Sequence, residues 1–278
     1  VWLKPATMGI PHLILSWTTF HVKPVVNYRI YGENHAHPIY ILHGIFGMLD
    51  NWHLAAQKLA ETHRVITYDA RNHGKSFHDD DAGYSAMSDD LRNLMISLGD
   101  DKATIIGHSM GGKTAMVFAD RYPEMIHQLI VVDIAPKRYV PGHLGYFKAF
   151  KEVPLHTLNS RKEAEEAFEP FAPEMGVRQF LLKNIEPIPG GGYATKSNLQ
   201  ALENHYDEII GELHFNHVFL KQVDFIGGSK SGYIKEEDKD EIYKHFPTAQ
   251  FHVVNNAGHW VHAENPQGFL DCLFSILA

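Results

Sequence analysis

The sequence predicts an α/β fold: a mostly parallel central sheet with helices on both faces and a helical insertion. Three observations carry this. Short β-rich runs alternate with helical segments from Val25 to Asp133, the alternation stops after Pro136, and it resumes at Val218 and continues to the last helix. Repeated strand–helix alternation builds a parallel sheet covered on both faces, because each crossover helix packs back onto the strands it joins. At 278 residues, with 44% hydrophobic and 21% charged, the chain has the globular balance needed to bury a large core.

The elements follow in order. Val25 to Tyr31 and Pro38 to Leu42 read as strands, the second almost continuously apolar, as in a strand covered on both faces. Arg64 to Tyr68 is the third strand. Tyr84 to Leu98 carries Met87, Leu91, Leu94, Met95 and Leu98 at helical spacing. Thr104 to Ile106 is a strand, Met110 to Arg121 a helix, and Gln128 to Asp133 a strand. Residues 137–218 hold helical candidates at Gly145 to Lys151, Arg161 to Phe171, Val177 to Asn184 and Asn198 to Leu213. They are broken by Pro187-Ile188-Pro189-Gly190-Gly191-Gly192 and contain no convincing buried strand. A strand over Val218 to Ile226, a helix over Glu236 to His245, a strand over Gln250 to Val254 and a helix over Pro266 to Leu277 complete the pattern. The expected organisation is an N-terminal extension over residues 1–24, a core over 25–136 and 219–278, and a helical cap over 137–218. Residues 1–7, which precede Met8, are set aside from fold reasoning.

Composition narrows the function classes. The chain has 25 basic and 33 acidic residues and a net charge of −8, with no basic cluster to neutralise phosphates, so no nucleic-acid partner is expected. No apolar run approaches the ~20 residues of a membrane-spanning helix, and no membrane association is expected. The N-terminal residues lack the basic start and cleavage site of a signal peptide. The single cysteine, Cys272, cannot form an internal disulfide, which points to the cytoplasm. His35-Ala36-His37 can set two imidazoles on one strand face, but without a third ligand at telling spacing no metal is expected. Asp79-Asp80-Asp81 and Glu236-Glu237-Asp238 read as solvated surface. No cofactor is expected, since neither a Walker lysine pattern nor G-x-G-x-x-G is present. Oligomeric state has no signature in the sequence.

Chemistry concentrates at the ends of the strands. Gly107-His108-Ser109-Met110-Gly111 is a G-x-S-x-G directly after a strand and directly before a helix, the setting of a nucleophile elbow. A serine on so sharp a turn needs neighbours without bulk, which Gly107, Gly111 and Gly112 provide. Serine becomes nucleophilic when an imidazole takes its proton, and a carboxylate must hold that imidazole in one tautomer. His259, in Asn256-Ala257-Gly258-His259-Trp260 after the last strand, is the expected base, with His262 as a packing or capping neighbour. The acid is expected at Asp133, because the loop after the next-to-last strand, Gly227-Gly228-Ser229-Lys230-Ser231-Gly232, has no carboxylate before Glu236. The order Ser109, Asp133, His259 is then the chain order of this kind of site. His43-Gly44-Ile45-Phe46-Gly47 follows another strand, so the backbone N–H groups of Ile45 and Met110 are the expected oxyanion donors, with Phe46 as the alternative to Ile45. Asp69 to Ser76 is expected to brace these loops.

Taken together, H-G-x-x-G, D-x-R-x-H-G-x-S, G-H-S-M-G-G and a late G-H-W resemble the α/β-hydrolase superfamily from about Ile39 to the C-terminus. More narrowly, Gly107 to Lys113, Val132-Asp133-Ile134-Ala135-Pro136 and Ala257 to Glu264 look like the YbfF-type esterase group. The resemblance implies a carboxyl-ester hydrolase with a small helical cap and a small-molecule ester substrate, short to medium in acyl length and thioesters included. It also supports Asp133 as the acid. A carbon–carbon bond hydrolase or acyltransferase with the same three residues, and a non-catalytic ligand-binding protein of the same shape, are the alternatives.

Overall fold

The computed structural model describes residues 26–278; Val25 and the N-terminal extension lie outside them. The first half runs β1 (Tyr28–Tyr31), β2 (Pro38–Leu42), α1 (His53–Leu59), β3 (Arg64–Tyr68), α2 (Tyr84–Ser97), β4 (Ala103–His108), α3 (Met110–Arg121) and β5 (Ile126–Val132). Between β5 and the next core strand come α4 (Leu144–Glu152), α5 (Arg161–Phe168), α6 (Met175–Leu182), the hairpin of β6 (Ile185–Pro187) and β7 (Tyr193–Thr195), α7 (Leu199–Asn204) and α8 (Tyr206–Ile209). The chain closes with β8 (Val223–Gly228), α9 (Lys239–His245), β9 (Ala249–Val254), α10 (Val261–Glu264) and α11 (Pro266–Leu277).

Among the described residues the strands form a seven-stranded sheet in the order β1-β3-β2-β4-β5-β8-β9, parallel except for β1, which runs antiparallel to β3. β5 and β8 are neighbours in the sheet although the helical segment separates them in sequence. The sheet therefore closes across that segment without a strand from it. All six residues of β4 are buried, as expected of a central parallel strand with apolar cover on both faces. One core cluster packs α2 and α3 against one face of the sheet, and a second packs α1 and α11 against the other. The C-terminal ends of β2, β4, β5 and β9 open on one edge, where an α/β sheet holds its ligands.

Several boundaries differ from expectation for local reasons. The strand expected from Val218 starts at Val223, where pairing with Leu129 and Ala249 begins; before it, the Phe219 N–H bonds the His245 carbonyl instead. The helix expected over Asn198 to Leu213 breaks into α7 and α8 at His205, whose backbone leaves the helical region. α5 stops at Phe168, just before Pro170, which has no N–H to continue a helix. His35 and His37 lie in the turn between β1 and β2, not on a strand face. Two features were not expected. α1 shows little periodicity, since Leu54 is 69% exposed, and the β6–β7 hairpin is too short and exposed for a buried-strand pattern. No helix among the described residues is long and apolar enough to cross a membrane.

Candidate active site

The elbow places Ser109 between β4 and α3 with φ 54° and ψ −119°, a left-handed backbone that few side chains adopt without support. The support is close packing of main chain. A Cβ on Gly107 would lie 2.3 Å from the Gly111 carbonyl oxygen, and one on Gly111 would lie 2.5 Å from that of Leu42. Glycine at both positions is therefore what lets the turn close against β2. Phe46, Asn72, Asp133 and Asn256 also have positive φ, between 50° and 65°, so the turns after β2, β3, β4, β5 and β9 all pass through the left-handed region.

Those turns bring together the side chains that the sequence singles out. Ser109 Oγ is 3.1 Å from His259 Nε2, and His259 Nδ1 is 2.8 Å from Asp133 Oδ2. Asp133 follows β5 and is fully buried. Its carboxyl accepts two further hydrogen bonds, from the Ser231 hydroxyl at 2.5 Å and the Gly228 N–H at 3.2 Å. The Gly-rich loop after β8, which lacks an acid, thus contributes donors to the acid that β5 carries. Glu236 is exposed and pairs with Lys239 at 2.6 Å.

Burial pushes the Asp133 carboxyl up to about 7, with Ser231 and Gly228 acting against the shift. It also draws the His259 imidazole down to about 4, opposed by the Glu264 charge. A neutral imidazole that donates from Nδ1 to a carboxylate presents the Nε2 lone pair to Ser109, the state needed to accept the hydroxyl proton.

Three contacts around His259 went unread in the sequence. The Tyr233 ring stacks on the imidazole with centroids 3.7 Å apart. Glu264 accepts the N–H groups of Gly258 and Trp260 and so fixes the loop that carries the ring. His108 Nε2 lies 2.9 Å from the His259 carbonyl. Glu264 ends the Ala257 to Glu264 stretch that carries the resemblance, but nothing there marks its contact with the loop; Tyr233 has no sequence signal. His262 is half-buried and stacks on Trp52 at 4.1 Å, which makes it a packing residue. The brace is also visible: Asp69 accepts the N–H groups of Leu49 and Lys75, and His43 Nε2 accepts that of Ala70.

Ile45, Phe46 and Ser109 line a cavity of about 330 Å³. The helical segment covers part of it through His143, Tyr146 and Phe180, and Trp260 faces it from the His259 loop. The Gly44 Cβ position lies 3.2 Å from Ser109 Cβ, so the loop after β2 rests on the serine. Met110 opens α3, where N–H groups have no acceptor within the helix.

The buried imidazoles make stability depend on pH. Burial draws His73 and His108 down to about 3, so the folded protein keeps them neutral where the unfolded chain protonates them. A depressed imidazole value favours the folded state fully above the unfolded value of about 6.5, and stability falls as pH drops below it. At pH 5 this costs about 2 kcal/mol for each of the two. His143 and His259, both drawn to about 4, act in the same direction and Asp133 in the opposite one. The urea midpoint is therefore expected to fall between pH 7.5 and pH 5. An unchanged midpoint would contradict the burial argument.

Comparison with known proteins agrees with this architecture. Residues 37–266 match the family described as alpha/beta hydrolase fold. The mouse (Mus musculus) sn-1-specific diacylglycerol lipase ABHD11 is 41% identical over 248 residues, covering 86% of this chain and 80% of the lipase. Esterase YbfF of Escherichia coli (strain K12) is 38% identical over 237 residues, covering 84% of this chain and 90% of the esterase. A solved structure of a marine microorganism esterase superposes with a TM-score of 0.88 at 35% identity, covering 91% of this chain and 99% of that one.

Proposed function

Because the chain belongs to the α/β-hydrolase family, we propose that it is a serine carboxylesterase acting on short- to medium-chain carboxylic esters, thioesters included, through an acyl-enzyme on Ser109. The observation that carries this reading is the continuous run of contacts from Ser109 Oγ to His259 at 3.1 Å and from His259 to Asp133 at 2.8 Å, at the wall of an apolar cavity. Relatives named as an esterase and a lipase support the ester-hydrolase class.

In this reading His259 Nε2 takes the Ser109 proton as Oγ attacks the acyl carbon, and Asp133 holds Nδ1–H and stabilises the imidazolium that forms. The N–H groups of Ile45 and Met110, with Phe46 as the alternative to Ile45, receive the oxyanion. His259 then returns the proton to the leaving alkoxide. Water, deprotonated by the same imidazole, releases the acid. Residues 137–218 act as the cap; Tyr146 and Phe180 give the cavity hydrocarbon surface for the acyl chain, while Gln179 and Lys183 are polar groups on the same lining. The net charge of −8 supports neutral esters. With one cysteine the chain depends on no disulfide, which supports a cytoplasmic location.

A serine-directed fluorophosphonate tests the assignment. The intact protein is expected to take up one label, and peptide mass spectrometry is expected to find it on Ser109. An aryl-ester series of rising acyl length is expected to peak at short to medium chains. Labelling of another serine, or no label with active turnover, would remove Ser109 from the role.

A further inference from the structure

Lys113 stands out because a charged side chain is 1% exposed on a helix that packs into the core. It lies one turn past Ser109, and its N–H bonds the Ser109 carbonyl at 3.0 Å. Burying an ammonium costs heavily unless its protons are hydrogen-bonded. Here Nζ donates to the carbonyl oxygens of Lys137 at 3.0 Å and Ile209 at 3.5 Å, and also to that of Gly211. It sits 5.1 Å from the centroid of the Tyr139 ring. Burial, and to a lesser extent the Arg138 charge, draw the ammonium down to about 7.

The three carbonyls come from the two ends of one segment. Lys137 begins the stretch that leaves β5, while Ile209 and Gly211 lie where the stretch returns. Those ends also bond each other, through Leu213 N–H to Pro136 O at 2.7 Å and Tyr139 N–H to Ile210 O at 2.8 Å. From there the contacts lead back to the base. The Tyr139 hydroxyl accepts the Ala135 N–H at 2.7 Å and donates to the Tyr233 carbonyl at 2.8 Å, and Tyr233 stacks on His259.

We infer that Lys113 is a positioning residue: its ammonium ties both ends of the 137–213 segment to the helix that carries Ser109, and so holds the cavity roof and the Tyr233 face of His259 in register with the serine. The inference rests on the roles of Ser109 and His259 proposed above. The roof side chains Tyr146 and Phe180 meet a long substrate more than a short one, so loss of the tie should appear first in the binding of long esters.

The test compares kcat and KM of the full chain for an aryl acetate and an aryl octanoate. Lys113→Met keeps the apolar stem and removes the donors. It is expected to raise KM for the octanoate about tenfold or more, the worth of a charged hydrogen bond, with acetate KM changed less than about threefold. Lys113→Gln, which keeps an N–H donor on a shorter stem, is expected to restore part of the loss. Tyr139→Phe leaves Lys113 intact but removes the bridging hydroxyl, and is expected to give a smaller shift of the same kind; it carries the test if neither Lys113 variant folds. Equal loss on both esters, or no loss on either, overturns the inference. A wild-type protein inert to both esters overturns the esterase reading itself, and the role of Lys113 with it.

Discussion

Ser109→Ala is expected to lower ester turnover by about 10³-fold or more, since the nucleophile and its base act as a unit and removal of either disables both. The substitution is small in every other respect. Alanine keeps the Cβ, and the backbone at φ 54° stays held by the bond from Ser109 N–H to the Val132 carbonyl at 3.1 Å and by the glycine contacts around it. The one side-chain hydrogen bond lost is to His259. Folding should therefore be preserved while chemistry is lost, and a thermal melt beside the aryl-ester assay separates the two. What survives should be the part contributed by binding and by the oxyanion donors. Turnover within tenfold of wild type would mean that another group attacks the ester.

The reasons this site was readable are specific to its residues. Gly107, Ser109 and Gly111 have a fixed spacing because the strained turn admits no Cβ at the two glycines, so geometry leaves a mark in the sequence. Asp133 was legible because the loop after β8 lacks a carboxylate while the strand of Leu129 to Val132 ends in one. Sequence order likewise separated the strand-rich first half from the helical segment, through β2, β4 and β5, buried strands whose apolar runs are nearly continuous.

What stayed hidden depends on long-range packing. Ser231 and Tyr233 reach Asp133 and His259 only because β8 lies between β5 and β9, and a hydroxyl in a Gly/Ser loop has no distinguishing pattern. The break at His205 and the late start of β8 follow from tertiary pairing rather than local propensity. Nothing local in the sequence marks Lys113 as buried, because its partners Lys137, Ile209 and Gly211 are distant in the chain.

Asp133→Asn is expected to be nearly as damaging as loss of the serine, by about 10³- to 10⁴-fold in kcat, because it alters a tautomer and leaves the shape unchanged. In the native site Oδ2 receives the Ser231 hydroxyl and His259 Nδ1–H, and Oδ1 receives the Gly228 N–H. An amide has one acceptor oxygen for these two edges. With that oxygen toward Gly228, the NH2 group faces His259 and forces Nδ1 to accept, so the ring proton moves to Nε2 and points at Ser109. The base then has no lone pair for the hydroxyl proton. With the amide reversed, its NH2 opposes the Gly228 N–H, donor against donor in a fully buried place, at a cost of about 1–3 kcal/mol. Both orientations lose, one in rate and the other in stability. Glu236→Gln is the matched control, since that exposed carboxylate only pairs with Lys239 at 2.6 Å, and turnover should stay within about twofold as expected of a surface ion pair. If Glu236→Gln were the crippling change and Asp133→Asn the mild one, the acid would belong to the region after β8, and the buried carboxyl after β5 would be only a cap for its own turn.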